Sequence, residues 1–146
     1  MFGEFLKRLT QPEPAPLPDD DARLALTALL VRVARTDGHY APAEVANIDR
    51  IIAARYGLDQ VATAALRTAA ETLETEAPDT VRFTRAIKDA VPYPDRLAVV
   101  EAMWRVALAD GVRDDHEDAL LRLVANLLGI NDRDSALARQ RVDTPS

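Results

Sequence analysis

One phrase is written twice in this chain. RVARTDGHYAPAE begins at Arg32 and RVALADGVRDDHE begins at Arg105, so Arg-Val-Ala, two residues, Asp-Gly, five residues and Glu recur with the same spacing. Each copy continues into an apolar segment of helical period, the first closing at Gly57 and the second at Gly129. Doubling of this kind predicts a duplicated helix-loop-helix hairpin, and the simplest packing sets the two hairpins face to face about a pseudo-twofold axis. The apolar letters of the phrase serve a core. The acids need another reason.

The rest of the chain agrees with helices. Alanine and leucine dominate, Gly numbers 5, and no β-branched run reads as a strand. Leu26, Leu29, Leu30, Val33 and Ala34 mark a helix over about 20–36, and Val45, Ile48, Ile51 and Ile52 mark another over about 42–56. Further helices are expected over about 59–77, stopped before Pro78, and over about 79–91, stopped before Pro92. Leu97, Val100, Met103, Trp104 and Ala107 mark one over about 94–110, with Trp104 read as core; Leu121, Val124, Leu127 and Leu128 mark one over about 115–128. A weak last segment starts near Asn131 and frays into VDTPS. The expectation is an all-α, compact bundle of about six to eight helices with an internal duplication.

Ahead of this domain, MFGEFLKRLT places Phe2, Phe5, Leu6 and Leu9 on one stripe of a short amphipathic helix, residues 1–10. So short a helix cannot hold itself in water and must lean on its own domain, a partner or a bilayer interface. Prolines at 12, 14, 16 and 18 make residues 11–18 a stiff spacer. The folded domain is then 19–142, opened by Asp19, Asp20 and Asp21 at the positive end of a helix dipole, and 143–146 is a disordered tail.

Composition excludes several functions. The chain has 146 residues and no cysteine, so it needs no staple to fold and has no disulfide, thiolate metal site or sulfur nucleophile. A net charge of −6 opposes general binding to nucleic acid and favours cations or basic partners. The segment VRFTRAIKDAVPYPDR gathers basic residues near aromatics but alternates sign, as a solvated face does. No apolar run is long enough to span a membrane and no secretory signal is present, which reads as a cytoplasmic protein that is not an integral membrane protein. Phosphate-cradling glycine loops, His-Glu-x-x-His and dinucleotide fingerprints are absent, so a non-enzymatic module is favoured and a metal-dependent hydrolase is the weaker alternative.

Asp37 and Asp110 each close a helix with glycine next, where a carboxylate opposes the negative end of the dipole. A turn bonded to its own backbone, with glycine supplying positive φ, is one explanation. Glu44 and Glu117 would sit at the third position of the following helices, capped by Ala41 and Asp114, with Pro42 opening the first. The other explanation is a bound cation. Asp-Gly, five residues, Glu is the back half of a calcium-binding EF-hand loop, but Val33 and Arg35, or Val106 and Leu108, stand where the earlier ligands belong. Neither loop is a complete EF-hand. Pooled across the pseudo-twofold, Asp37, Glu44, Asp110 and Glu117 form a hard oxygen set for a divalent cation of the calcium, magnesium or manganese kind, with zinc also to be tried. His39 and His116 occupy different places in the repeat and are weaker candidates.

On the residues RVARTDGHYAPAE, RFTRAIKDAVPYPDR and EAMWRVALADGVRDDHEDALLRLVANLLGI, the chain resembles the TerB family of tellurite-resistance proteins, in its stand-alone TerB-like branch, over about residues 20–142. The resemblance implies an all-helical domain with pseudo-symmetry and an acidic divalent-metal site, carried onto Asp37, Glu44, Asp110 and Glu117. It also implies work in a metal or chemical stress-response assembly that includes membrane-protein partners of the TerC kind, which would bring the chain to a membrane through a partner. His39, Tyr40, Ala41 and Pro42 stand where more acids are expected in the first loop. Reducing tellurite would take a thiol or a redox cofactor, and the sequence has no cysteine. A metal-free interaction scaffold docking through the N-terminal helix is the alternative reading, and self-association into a homo-oligomer is left open.

Overall fold

The computed structural model describes residues 2–11, 17–36, 40–109 and 115–143, with the side chains of 115–118 and 143 left out of the description. Among the described residues eight helices follow one another: α1 Gly3–Leu9, α2 Asp19–Thr36, α3 Pro42–Tyr56, α4 Gln60–Glu76, α5 Thr80–Ala90, α6 Tyr93–Ala109, α7 Asp115–Leu127 and α8 Asp132–Asp143. There is no strand among the described residues, so the chain is an all-α bundle as its composition predicts. No helix among them is long and apolar enough to cross a membrane.

The helix limits follow local chemistry. Pro42 takes the first position of α3, where its missing N–H costs nothing, and Asp59 and Asp79 cap α4 and α5 by accepting from Ala62 N at 2.8 Å and Arg82 N at 3.2 Å. α3 closes at Gly57 with φ 66°, and α7 is followed by Gly129 with φ 73°, the left-handed turn that both glycines predict. At Gly129 a second constraint applies, because an added Cβ would stand 3.1 Å from Arg96 Nη1 and 3.2 Å from Lys88 Cδ.

α2 is the central helix. Ala25 through Val31 form an unbroken buried run, because α3, α4, α5 and α7 all pack around it. α6 is the second organiser and carries α3, α7 and α8. The core runs continuously through both, from Leu29 and Val31 to Val100 and Met103, and takes in Phe83 and Ile87 of α5, both fully buried.

α1 resolves its own question. Phe5, Leu6 and Leu9 are buried in the common core and α1 lies along α5, so the stripe is spent on its own domain. Three such side chains remove enough apolar surface, at about 1.5–3 kcal/mol each, to hold a helix that could not persist alone. Of the proline spacer, residues 12–16 lie outside the described residues; it re-emerges at Leu17, whose N–H donates to Ala90 O at 3.1 Å.

Two expectations are modified. The last segment, expected to be weak, is a firm helix of 12 residues, because α8 is tied to α6: Tyr93 donates its hydroxyl to Asp134, Trp104 Nε1 donates to Ser135 Oγ at 3.1 Å, and Arg141 pairs with Glu101; its expected fraying beyond residue 143 lies outside the described residues. Trp104 is half-buried and packs against the core from its rim, beside Ser135 and Arg139 of α8. In the basic segment, Phe83, Ala86 and Ile87 turn inward and Arg82, Arg85 and Lys88 outward, the solvated mixed-sign face expected of it.

Candidate functional site

The phrase that opens the first hairpin delivers its arginines to a polar cluster. Arg32 and Arg35 lie one turn apart at the end of α2, on the side facing α4, and α4 answers with Glu71 and Glu74, also one turn apart. Glu74 is only 8% exposed. A carboxylate so enclosed is costly unless paired, and here it takes Arg32 Nε on Oε2 at 3.1 Å and Arg35 Nη1 on Oε1 at 2.9 Å. Both oxygens are therefore engaged by charge-assisted bonds.

Arg32 does more than neutralise Glu74. Its Nη1 donates to Pro78 O at 2.8 Å and its Nη2 to Glu74 O at 3.2 Å and Ala77 O at 3.3 Å, so one guanidinium satisfies the carbonyls where α4 ends. The guanidinium also lies 5.8 Å from the centre of the Phe83 ring, joining α2, α4 and α5 at one point.

The cluster continues across the neck of the first Asp-Gly loop. Arg35 stands before the loop and Tyr40 after it, and the Arg35 guanidinium lies 5.0 Å from the centre of the Tyr40 ring. The Tyr40 hydroxyl donates to Glu71 Oε2, while Glu71 Oε1 takes Arg67 Nη1 at 3.3 Å and Arg67 Nε reaches Asp49 Oδ1 on α3 at 2.7 Å. Burial first, and then the bond to the Glu71 carboxylate, pushes the Tyr40 hydroxyl well above the ordinary tyrosine value of 10.0. Three bases, Arg32, Arg35 and Arg67, thus meet three acids, Glu74, Glu71 and Asp49. Entry and exit of the loop are clamped to α4 by a network in which these opposite charges match in number.

Of the four carboxylates expected to hold a cation, the structure describes the side chain of Glu44. It is half-buried in the first turn of α3, two residues after Pro42, the position the sequence predicts, and Ala41 precedes the helix with extended backbone and no side-chain cap. Asp37, Gly38 and His39 lie outside the described residues, as do Asp110 to Asp114; α7 includes His116 and Glu117, but their side chains lie outside the description as well. Among the described residues no group of three or more histidines, aspartates or glutamates is placed to hold a metal ion.

The Glu74 cluster is what the sequence reading passed over. Its signal was present in α4, where Leu66, Ala70 and Leu73 form an apolar stripe and Glu74 falls inside it. An acid on a buried stripe demands a buried base, and Arg32 in the repeated phrase is that base.

The family model described as "Tellurite resistance protein TerB" matches residues 23–140, well over half of the chain. No curated protein and no solved structure matches it.

Proposed function

Starting from a chain that belongs to the TerB family of tellurite-resistance proteins, we propose that it is a non-enzymatic helical module whose Asp37, Glu44, Asp110 and Glu117 together bind a divalent cation. The module works in a metal or chemical stress-response assembly with other proteins.

The observation that supports this reading most directly is the clamp at the neck of the first loop. Arg32 and Arg35, before Asp37 in the chain, and Tyr40, after it, are held to Glu74 and Glu71. Loop ends fixed to a rigid helix lower the cost of arranging ligands for an ion, because less chain entropy is lost when the ion arrives. Glu44 follows at the start of α3, where the helix dipole favours its ionised form. A doubled hairpin would supply Asp110 and Glu117 as the matching pair, giving a four-carboxylate oxygen site of the kind calcium, magnesium and manganese prefer.

The alternative, a metal-free scaffold docking through its N-terminal helix, has less support, since Phe5, Leu6 and Leu9 are already buried in the helix's own domain.

Calorimetric titration of the full chain with calcium, magnesium, manganese and zinc tests the proposal. Binding heat is expected with at least one ion and should disappear in the Asp37→Asn, Asp110→Asn double variant. An athermal titration with all four, with no rise in melting temperature on adding the ions, would retire the cation site.

A further inference from the structure

A second surface, remote in sequence from the first Asp-Gly loop and independent of its acids, lies between the last two helices. α7 and α8 both pack on α6 and barely touch each other. α7 turns Arg122, Ala125 and Asn126 to the space between them, and α8 turns Ser135, Ala136 and Arg139. Residues 122, 125 and 126 have the i, i+3, i+4 spacing of one helix face, and with Asp132 the α8 residues 132, 135, 136 and 139 follow i, i+3, i+4, i+7, so one face of each helix looks across a gap. The gap consists of two adjoining cavities of about 410 and 520 Å³ that share Arg122, Asp132 and Ser135. Trp104 of α6 lines the first of them beside Leu121.

The charge of the groove is opposite to that of the molecule. The chain carries −6, yet the groove is lined by two arginines against one acid, Asp132. Arg122 is exposed and has no ion pair among the described residues, and Arg139 lays its guanidinium 5.1 Å from the centre of a Trp104 ring. Exposed cations flanking small apolar side chains favour a partner that brings its own acids. Ala136 is exposed on the groove wall and Ala125, only 5% exposed, lies at its floor, and side chains this small leave room for another helix to approach at about 8–10 Å between axes, the ordinary packing distance.

We propose that the α7–α8 groove is the docking site for an amphipathic helix of a partner protein. The partner's small apolar residues lie on Ala136 above the groove floor at Ala125, its acidic flank meets Arg122 and Arg139, and Trp104 sits at the inner wall. A helix suits the site better than a compact small molecule. The groove runs along about two turns of both helices and is lined by side chains of two open faces, where a small ligand would need enclosure on most sides.

The sequence supplies its own reporter, since Trp104 is the one tryptophan in the chain. The full chain is titrated with a tryptophan-free helical peptide of about 18 residues carrying leucine and alanine on one face and glutamate beside it, and with a second peptide in which lysine replaces each glutamate. The glutamate peptide should shift Trp104 emission saturably, bind more weakly as salt rises, and lose about tenfold or more in affinity to the R122E/R139E double variant. Both arginines are exposed, and circular dichroism with thermal unfolding verifies that the double variant keeps its fold. Failure of the glutamate peptide to shift the emission would overturn the assignment. Equal binding of the lysine peptide, or undiminished binding by the double variant, would do the same. Self-association in sedimentation equilibrium that the double variant abolishes would assign the groove to a second copy instead.

Discussion

The same three letters, Arg-Val-Ala, meet two different fates. In α2, Val33 and Ala34 are buried and Arg32 is drawn in with them, its side chain 13% exposed and bonded to Glu74 and to the carbonyls of Ala77 and Pro78. In α6, Val106 and Ala107 are buried just as well, while Arg105 stands exposed. The apolar letters behave alike because burial needs only a neighbouring surface. The arginines differ because a buried guanidinium needs acceptors in fixed places, and at the first copy the end of α4 supplies them. Arg35 shows the same division: it shares Glu74 with Arg32, whereas the matching position in the second phrase is Leu108, with nothing to donate.

The largest way to break this contrast is to remove Glu74. Glu74→Ala leaves Arg32 and Arg35 facing each other without their carboxylate, and should lower stability in urea unfolding by about 3 kcal/mol. A loss of less than about 1 kcal/mol would show that the carbonyls alone keep Arg32 in place. Next come the arginines themselves. Arg32→Ala should cost about 2 kcal/mol, from bonds lost and from α4 carbonyls left bare, and Arg105→Ala should stay within about 0.5 kcal/mol. Equal losses would erase the distinction between the two copies.

The glycines that end the two apolar segments sharpen it further. Gly57→Ala meets only the left-handed φ, with nothing within 4 Å of its Cβ, and should cost about 1 kcal/mol. Gly129→Ala adds contact with Arg96 and Lys88 to the same backbone cost, so its melting temperature should fall further than that of the Gly57 variant.

The smallest effect is confined to alkaline solution. All three tyrosines are shifted upward: Tyr40 and Tyr56 chiefly by burial, Tyr93 chiefly by its bond to Asp134, with Tyr56 pushed up to about 12. The folded chain then holds protons that the unfolded chain releases near its ordinary value of 10.0, so stability is complete below that pH and falls as pH rises towards 12. Ultraviolet titration of the native protein should show phenolate absorbance delayed beyond the unfolded control. Coincident curves would contradict it.

Much of the bundle was legible because its punctuation is local. Pro42, Asp59, Asp79, Gly57 and Gly129 act on backbone a few residues away, so the helix limits came within a residue or two. The α1 stripe was equally plain, but what it leans on was not, since that depends on α5 some eighty residues later. The Glu74 cluster joins positions 32, 35, 40, 49, 67, 71 and 74, and most of those residues would serve equally well as surface charges. Glu44 fell where its spacing placed it because the first turn of a helix is set by its neighbours alone. Trp104 was misjudged by degree: α6 has apolar residues around much of its circumference, so periodicity could not say which of them faces the rim.

Arg96 reaches in two directions, with Nε donating to Val91 O at 3.0 Å and Nη1 to Leu128 O at 2.5 Å. A single side chain near the start of α6 thereby rivets the carboxyl ends of α5 and α7 to the same post. Neither end can unwind by itself without unseating the rivet, so fraying that would ordinarily be private to each helix becomes a shared event. Amide exchange near Val91 and near Leu128 should accordingly rise and fall together, and the molecule should come apart at this seam as one piece.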